Sequence, residues 1–156
     1  MTIVSVLGWS DSGKSTVVAA IIAAAGARGV PVAAVKVSPH LQSQDRGDTA
    51  RFLDAGAAPV FLRSSRGWTV QLPEDRPLEA GSEPISLPRW MTAMLAATDP
   101  PVELLVVEGR MVDGAILVQT ASVDGEVKFP GLSCDAIVAD APTNPLPEEL
   151  KRRIFG

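Results

Sequence analysis

Apolar residues in this chain fall into short continuous runs separated by polar stretches rich in glycine and proline. Residues 3–7 (IVSVL), 30–37 (VPVAAVKV), 103–107 (ELLVV) and 135–139 (DAIVA) have strand length and little alternation. That is the pattern of strands covered on both faces, as in a parallel sheet. Residues 13–28 are apolar nearly all round and rich in alanine, which predicts a buried helix packed closely on the sheet. Gly29 is placed to close it. Strand, helix and strand at this spacing form a βαβ unit, whose crossover is right-handed.

The middle of the chain is more polar. Residues 38–48 (SPHLQSQDRGD) read as a loop broken by Pro39 and Gly47. A short helix follows over 49–55, with Asp48 as its N-cap and Gly56 at its end. Runs at 59–62 and 68–72, joined by a turn at 63–66, predict a hairpin or a strand crossing to an edge. Residues 73–88 hold four prolines and form a loop or lid. Pro88 then opens a helix over 88–98. The alternation over 115–122 and 126–129 predicts a second hairpin turning at Asp124-Gly125. Residues 147–155 form a terminal helix with acids near its start and bases near its end, the order the helix dipole favours.

One stretch turns this pattern into chemistry. Residues 3–16 read IVSVLGWSDSGKST, and the spacing G-x-x-x-x-G-K-[ST] from Gly8 to Ser15 lies between a predicted strand and a predicted helix. Glycines at both ends let successive backbone N–H groups point inward at phosphate oxygens. Lys14 supplies a charge for the β- and γ-phosphates and Ser15 a hydroxyl for Mg²⁺, while the helix adds free N–H groups. The expected fold is therefore α/β: a three-layer P-loop NTPase domain over residues 1–156, with a mostly parallel sheet flanked by helices, plus an antiparallel hairpin. Trp9, inside the loop, has no room in a phosphate cradle and is expected to point outward.

Phosphate chemistry with Mg²⁺ also calls for a carboxylate ending a neighbouring strand. Two acids compete, Glu108 of LLVVEG and Asp140 of DAIVAD, and Gly109 favours Glu108 because it lets a phosphate approach the backbone. In the polar loop, Asp45, Asp48 and Thr49 could reach metal or water, and Arg46 and Arg51 could reach phosphate. His40, the single histidine, has no partner for a zinc-type site.

Composition narrows the setting. Of 156 residues, 46% are hydrophobic and 21% charged, the balance of a globular domain. The net charge of −4 and the absence of a basic stripe argue against nucleic acid as a partner. The single cysteine, Cys134, excludes an internal disulfide and suits a reducing cytoplasm. The longest apolar stretch, 17–27, is too short to span a bilayer, and no basic segment precedes the first apolar run, so neither a membrane anchor nor a signal peptide is expected.

The loop GWSDSGKST, then VAAVK with Lys36, a polar loop with a histidine, DRGDTARFLDAGA over 45–57 and LLVVEG together resemble molybdopterin-guanine dinucleotide biosynthesis protein B. The resemblance is good over residues 2–63 and 103–110. At Val37 the family usually has a histidine, and it usually has a lysine between the positions matching Gly47 and Asp48. The resemblance implies a GTP-binding protein with slow Mg²⁺-dependent hydrolysis, often dimeric, which assists a molybdopterin nucleotidyltransferase. Carried over by position, Gly8, Ser10, Asp11, Ser12, Gly13, Lys14, Ser15 and Thr16 would bind phosphates. Ser15, Asp48 or Thr49, and Glu108 would hold Mg²⁺, with Lys14, Asp48 and Glu108 serving hydrolysis. A guanine site is expected after the last core strand, where Asp140, Thr143 and Asn144 are candidates; a plain polar turn is the alternative. GTP stands ahead of ATP.

Other classes have weaker support. A small-molecule P-loop kinase using ATP needs an arginine-bearing lid, and the 73–88 loop holds only Arg76, with Arg89 following. A partitioning-type ATPase resembles its relatives in an early loop lysine, and Trp9 stands there instead. A nucleotide-dependent binding module without turnover fits the same residues.

Overall fold

The computed structural model describes residues 1–37, 55–57, 60–64, 67–71 and 84–156. Its elements are β1 (Thr2–Gly8), α1 (Lys14–Gly26), β2 (Val32–Lys36), β3 (Val60–Ser64), β4 (Gly67–Gln71), α2 (Arg89–Ala96), β5 (Leu104–Glu108), β6 (Ile116–Thr120), β7 (Ala136–Val138) and α3 (Glu148–Phe155). The chain divides into two units, Met1–Val37 with Ser82–Gly156, and Ser38–Gly81.

The larger unit is a five-stranded sheet of order β2–β5–β1–β6–β7, in which every pairing is parallel. Because side chains alternate along a strand, β5 feeds two cores. Leu104 and Val106 join Val4, Val6 and Val118 beneath Val17, Ile21 and Ala25 of α1 and Leu150 and Ile154 of α3. Leu105 and Val107 face the other way and join Leu95 of α2 and Val112, with Ile3, Val35 and Met91 packed around them. Helices therefore flank both faces of a mostly parallel sheet, the α/β architecture that the apolar runs predict.

Two expectations need correction. Residues 115–129 do not form a hairpin. Residues 116–120 are β6, a parallel strand between β1 and β7, and the antiparallel pairing is reduced to one bridge between Ala121 and Val127. Gln119 and Thr120, polar residues that suggested a partly solvated strand, are buried. Both have protein hydrogen-bond partners, so polar side chains occupy positions usually filled by apolar ones. Helix α1 is likewise not buried all round. Val17, Val18, Ile21 and Ala25 are buried, while Ala19 and Ala23 on its other side are exposed. Its outward residues are small rather than covered. Gly29 does close the helix, at φ 68°, next to a Val30 N–H that donates to the Ala25 carbonyl.

In the smaller unit, β3 and β4 pair antiparallel from Val60–Gln71 to Ser64–Gly67, the predicted hairpin. The polar loop 38–48, the helix predicted from residue 49 (with Asp48 and Thr49) and most of the proline-rich stretch lie outside the described residues. From that stretch, Ile85 bridges to Val112 in the larger unit. Among the described residues, no helix is long and apolar enough to cross a membrane.

Ile21 is fully buried between α1 and the sheet. Ile21→Ala should lower unfolding free energy by about 2–5 kcal/mol, whereas Ala23→Ser on the exposed side should change it by less than about 0.5 kcal/mol. Urea denaturation of the two variants tests which face of α1 carries the core.

Candidate functional site

Parallel strands bring their C-terminal ends to one edge, and ligands of open α/β sheets bind there. Here that edge holds the end of β1 and the loop that follows it, together with Lys36, Glu108 and Thr120. Gly8 lies opposite Thr120 in register. A Cβ on Gly8 would come within 2.1 Å of the Thr120 Oγ1 and 2.6 Å of the Ser12 Oγ, so only glycine fits between them. Those two hydroxyls are 2.6 Å apart. The Ser12 hydroxyl also lies 2.9 Å from the Trp9 carbonyl and the Thr120 hydroxyl 3.2 Å from the Leu7 carbonyl. The start of the loop is thus tied to the end of β6 by buried hydrogen bonds. Asp11 takes φ 60°, a left-handed conformation that aspartate tolerates better than most residues. Gly13, at φ 82°, is the N-cap of α1 and lies against Ala141, whose Cβ would be 2.5 Å from one added at Gly13.

At the far end of the loop the charged residues converge. The Ser15 hydroxyl donates to Glu108 Oε2 at 2.9 Å. Lys36, in register with Glu108, places its ammonium 3.0 Å from Oε1. Glu108 is buried and Lys36 mostly exposed. Lys14 donates to the Trp9 carbonyl. Partial burial holds the Lys14 ammonium below the usual lysine range; Glu108 opposes that shift, Lys128 and Lys36 reinforce it, and Asp11 opposes it. Gly109, at φ 95°, is held to glycine by the chain itself, since a Cβ there would sit 2.3 Å from the Val37 carbonyl.

The two acids that competed in the sequence are separated in space. Glu108 faces Ser15. Asp140 lines a cleft of about 270 Å³ with Asp11, Ser12, residues 121–123 and residues 139–142. Asp140 Oδ1 accepts from the Thr143 N–H at 3.3 Å, and its carbonyl accepts from the Asn144 N–H at 2.8 Å. Thr143 and Asn144 belong to the turn that Asp140 organises and do not line the cleft. Trp9 points outward, 45% exposed. Ser10 and Thr16 are exposed on the loop and in the first turn of α1.

Residue reasoning did not single out Gln119, Thr120 or Lys128, and it used Lys36 only as part of a motif. The signal for Lys36 was present: it and Glu108 end neighbouring apolar runs, and parallel pairing sets such ends side by side. Gln119 and Thr120 were concealed by the hairpin reading.

Fold and edge together define an α/β protein of parallel-sheet type, with a glycine-bracketed, lysine-bearing loop between its central strand and first helix. Within that class the chain belongs to the MobB family: the family model for molybdopterin guanine dinucleotide synthesis protein B matches residues 3–113. Among solved structures it is similar to Bacillus subtilis MobB, at 15% identity and a TM-score of 0.50, with 93% of this chain and 94% of that one covered. It is also similar to a MobB protein homolog from Bacillus stearothermophilus, at 20% identity and a TM-score of 0.48, with 80% and 68% covered. No curated protein matches the sequence. The family match spans the loop, Lys36 and Glu108 and ends before Gln119, Lys128 and Asp140.

The contact between Gly13 and Ala141 yields a test of the loop's seat. Gly13→Ala combines backbone strain with a steric clash and should destabilise by about 1–3 kcal/mol. Adding Ala141→Gly removes the clash and leaves the strain. A double-mutant cycle by urea denaturation should then show a favourable coupling of about 0.5 kcal/mol or more. Strict additivity would mean the loop rests elsewhere.

Proposed function

We propose that this chain is a Mg²⁺-dependent GTP-binding protein that hydrolyses GTP slowly and assists a molybdopterin nucleotidyltransferase, acting in the cytoplasm as a homodimer. The observation that carries the reading is the convergence of Ser15 and Glu108 at 2.9 Å, beside Lys14 at the end of a glycine-bracketed loop. Membership of a family named for molybdopterin guanine dinucleotide synthesis supports the pathway.

The donor set fits Mg²⁺, a hard cation that takes oxygen ligands, keeps several waters and uses one or two carboxylates beside substrate phosphates. Ser15 and Glu108 would hold it, and the sequence also offers Asp48 and Thr49 as candidates. When bound, Mg²⁺ would neutralise charge on the β- and γ-phosphates. The protein's own part is binding and positioning. Lys14 would exchange the Trp9 carbonyl for phosphate oxygen. Backbone N–H groups from Ser10 to Thr16 would cradle the phosphates, and Glu108, held by Ser15, would orient the attacking water. Lys36 holds Glu108 from the side away from Ser15 and keeps the carboxylate aimed at the loop.

The cleft beside Asp11 and Ser12 has the size for a base rather than a whole nucleotide. Guanine presents two adjacent donors, N1–H and the N2 amino group, and an ionised carboxylate accepts both; adenine presents one donor beside an acceptor. Asp140 is therefore the residue that favours guanine.

Lys14→Ala should weaken GTP binding by about ten- to a hundredfold, the loss of one charge-assisted contact, with the fold intact. Glu108→Gln should reduce the Mg²⁺ dependence of binding and hydrolysis, and Asp140→Asn should narrow the GTP-over-ATP preference. Calorimetric titration of the three variants with both nucleotides separates the roles. Loss of Mg²⁺ dependence in Asp140→Asn but not in Glu108→Gln would reverse the assignment of the two acids.

A further inference from the structure

Between β6 and β7 the chain leaves the sheet, turns, and comes back past the loop. The turn is closed by the Ser122 N–H donating to the Glu126 carbonyl at 2.8 Å and the Gly125 N–H donating to the Ser122 carbonyl at 3.0 Å. The return leg is fixed from inside the protein. Gln119, only 1% exposed, donates through Nε2 to the Phe129 carbonyl at 3.1 Å and accepts from the Phe129 N–H at 3.2 Å. A buried amide needs its hydrogen bonds satisfied, and here both go to one residue of an otherwise exposed excursion. The consequence lies one residue earlier. Lys128 is held with its ammonium 5.8 Å from the centroid of Trp9, inside the loop, and 5.5 Å from that of Phe129. Both separations fall within the range of cation–π attraction.

We propose that Lys128 is a cationic contact for the phosphate tail of the bound nucleotide, delivered to the loop by the Gln119–Phe129 clamp and steadied on the Trp9 indole. The proposal rests on the nucleotide-binding reading above and adds to it a residue outside the loop and outside the part of the chain that the family model matches. The placement supports it. Lys14 and Lys128 meet the same residue of the loop: the Lys14 ammonium donates to the Trp9 carbonyl, and the Lys128 ammonium lies over the Trp9 ring. A polyanion bound at the loop would meet both ammonium groups. The cleft lined by Asp11 and Asp140 holds no such cation among its lining residues, so Lys128 reads phosphate and not base.

The test uses the full chain with Mg²⁺–GTP, Mg²⁺–ATP and Mg²⁺–GDP in calorimetric titrations, with thermal melting to confirm the fold of each variant. Lys128→Gln should lose about tenfold in affinity for GTP and by the same factor for ATP, with a smaller loss for GDP. Lys128→Arg should restore most of the GTP affinity. In a Trp68→Phe, Trp90→Phe background, Trp9 emission should respond to GTP, and the response should shrink when Lys128 is replaced by Gln. A folded Lys128→Gln variant that binds GTP as the parent does, while Lys14→Ala weakens binding as expected, would overturn the Lys128 assignment and leave the nucleotide reading standing. A loss confined to GTP with ATP unchanged would also overturn it, since that is base reading. A parent chain that binds none of the three nucleotides would overturn both.

Discussion

A carboxylate at the end of a fully buried strand is the constraint on which the candidate site depends. Glu108 is 8% exposed, and an ionised group taken that far from water is tolerated only with partners that replace its hydration. Among the described residues it has two, Ser15 on one oxygen and Lys36 on the other. Each partner comes from a different element: Lys36 from β2 and Ser15 from the first turn of α1. Satisfying one buried charge therefore fixes where a strand and a helix end relative to β5. The same demand makes the arrangement receptive to a cation, because a carboxylate already turned toward the Ser15 hydroxyl offers a pair of oxygen ligands.

Parallel register does the rest of the assembly. β1 sits between β5 and β6, with Val6 opposite Glu108 and Gly8 opposite Thr120. Residues far apart in sequence arrive at one edge because every strand of the sheet points the same way. The loop then has to turn in a space bounded by Thr120 and Ala141, and glycines at 8 and 13 meet that limit. Their presence is explained by neighbouring side chains of the protein as much as by the phosphates for which the motif is known. Gly109 belongs with them: its constraint is the Val37 carbonyl, so the glycine after Glu108 serves the packing of β2 against β5.

The sheet was largely legible in the sequence, because strands covered on both faces leave continuous apolar runs that survive any reasonable window. The loop was legible because its motif ties residue types to backbone geometry. The sequence favoured Glu108 over Asp140 for the metal side, and the structure sets the two acids apart, one against Ser15 and one in the cleft. Residues 115–129 were misread for a physical reason. Polar residues in a strand usually mark a wet face, and Gln119 and Thr120 are buried instead, their polar atoms satisfied by Phe129, Ser12 and Leu7. A single sequence carries no mark distinguishing a solvated glutamine from one that clamps a distant backbone. For the same reason nothing in the sequence singled out Lys128.

The most direct test of the Ser15–Glu108 site is to titrate the unmodified chain with GTP in a calorimeter, once with excess Mg²⁺ and once with the metal chelated, and to repeat the pair with ATP. Saturable GTP binding that weakens at least about tenfold on chelation, with ATP bound less tightly than GTP, is the predicted result. Binding that ignores Mg²⁺, or no binding of either triphosphate, would contradict the claim that Ser15 and Glu108 complete a metal–nucleotide site at the end of this loop.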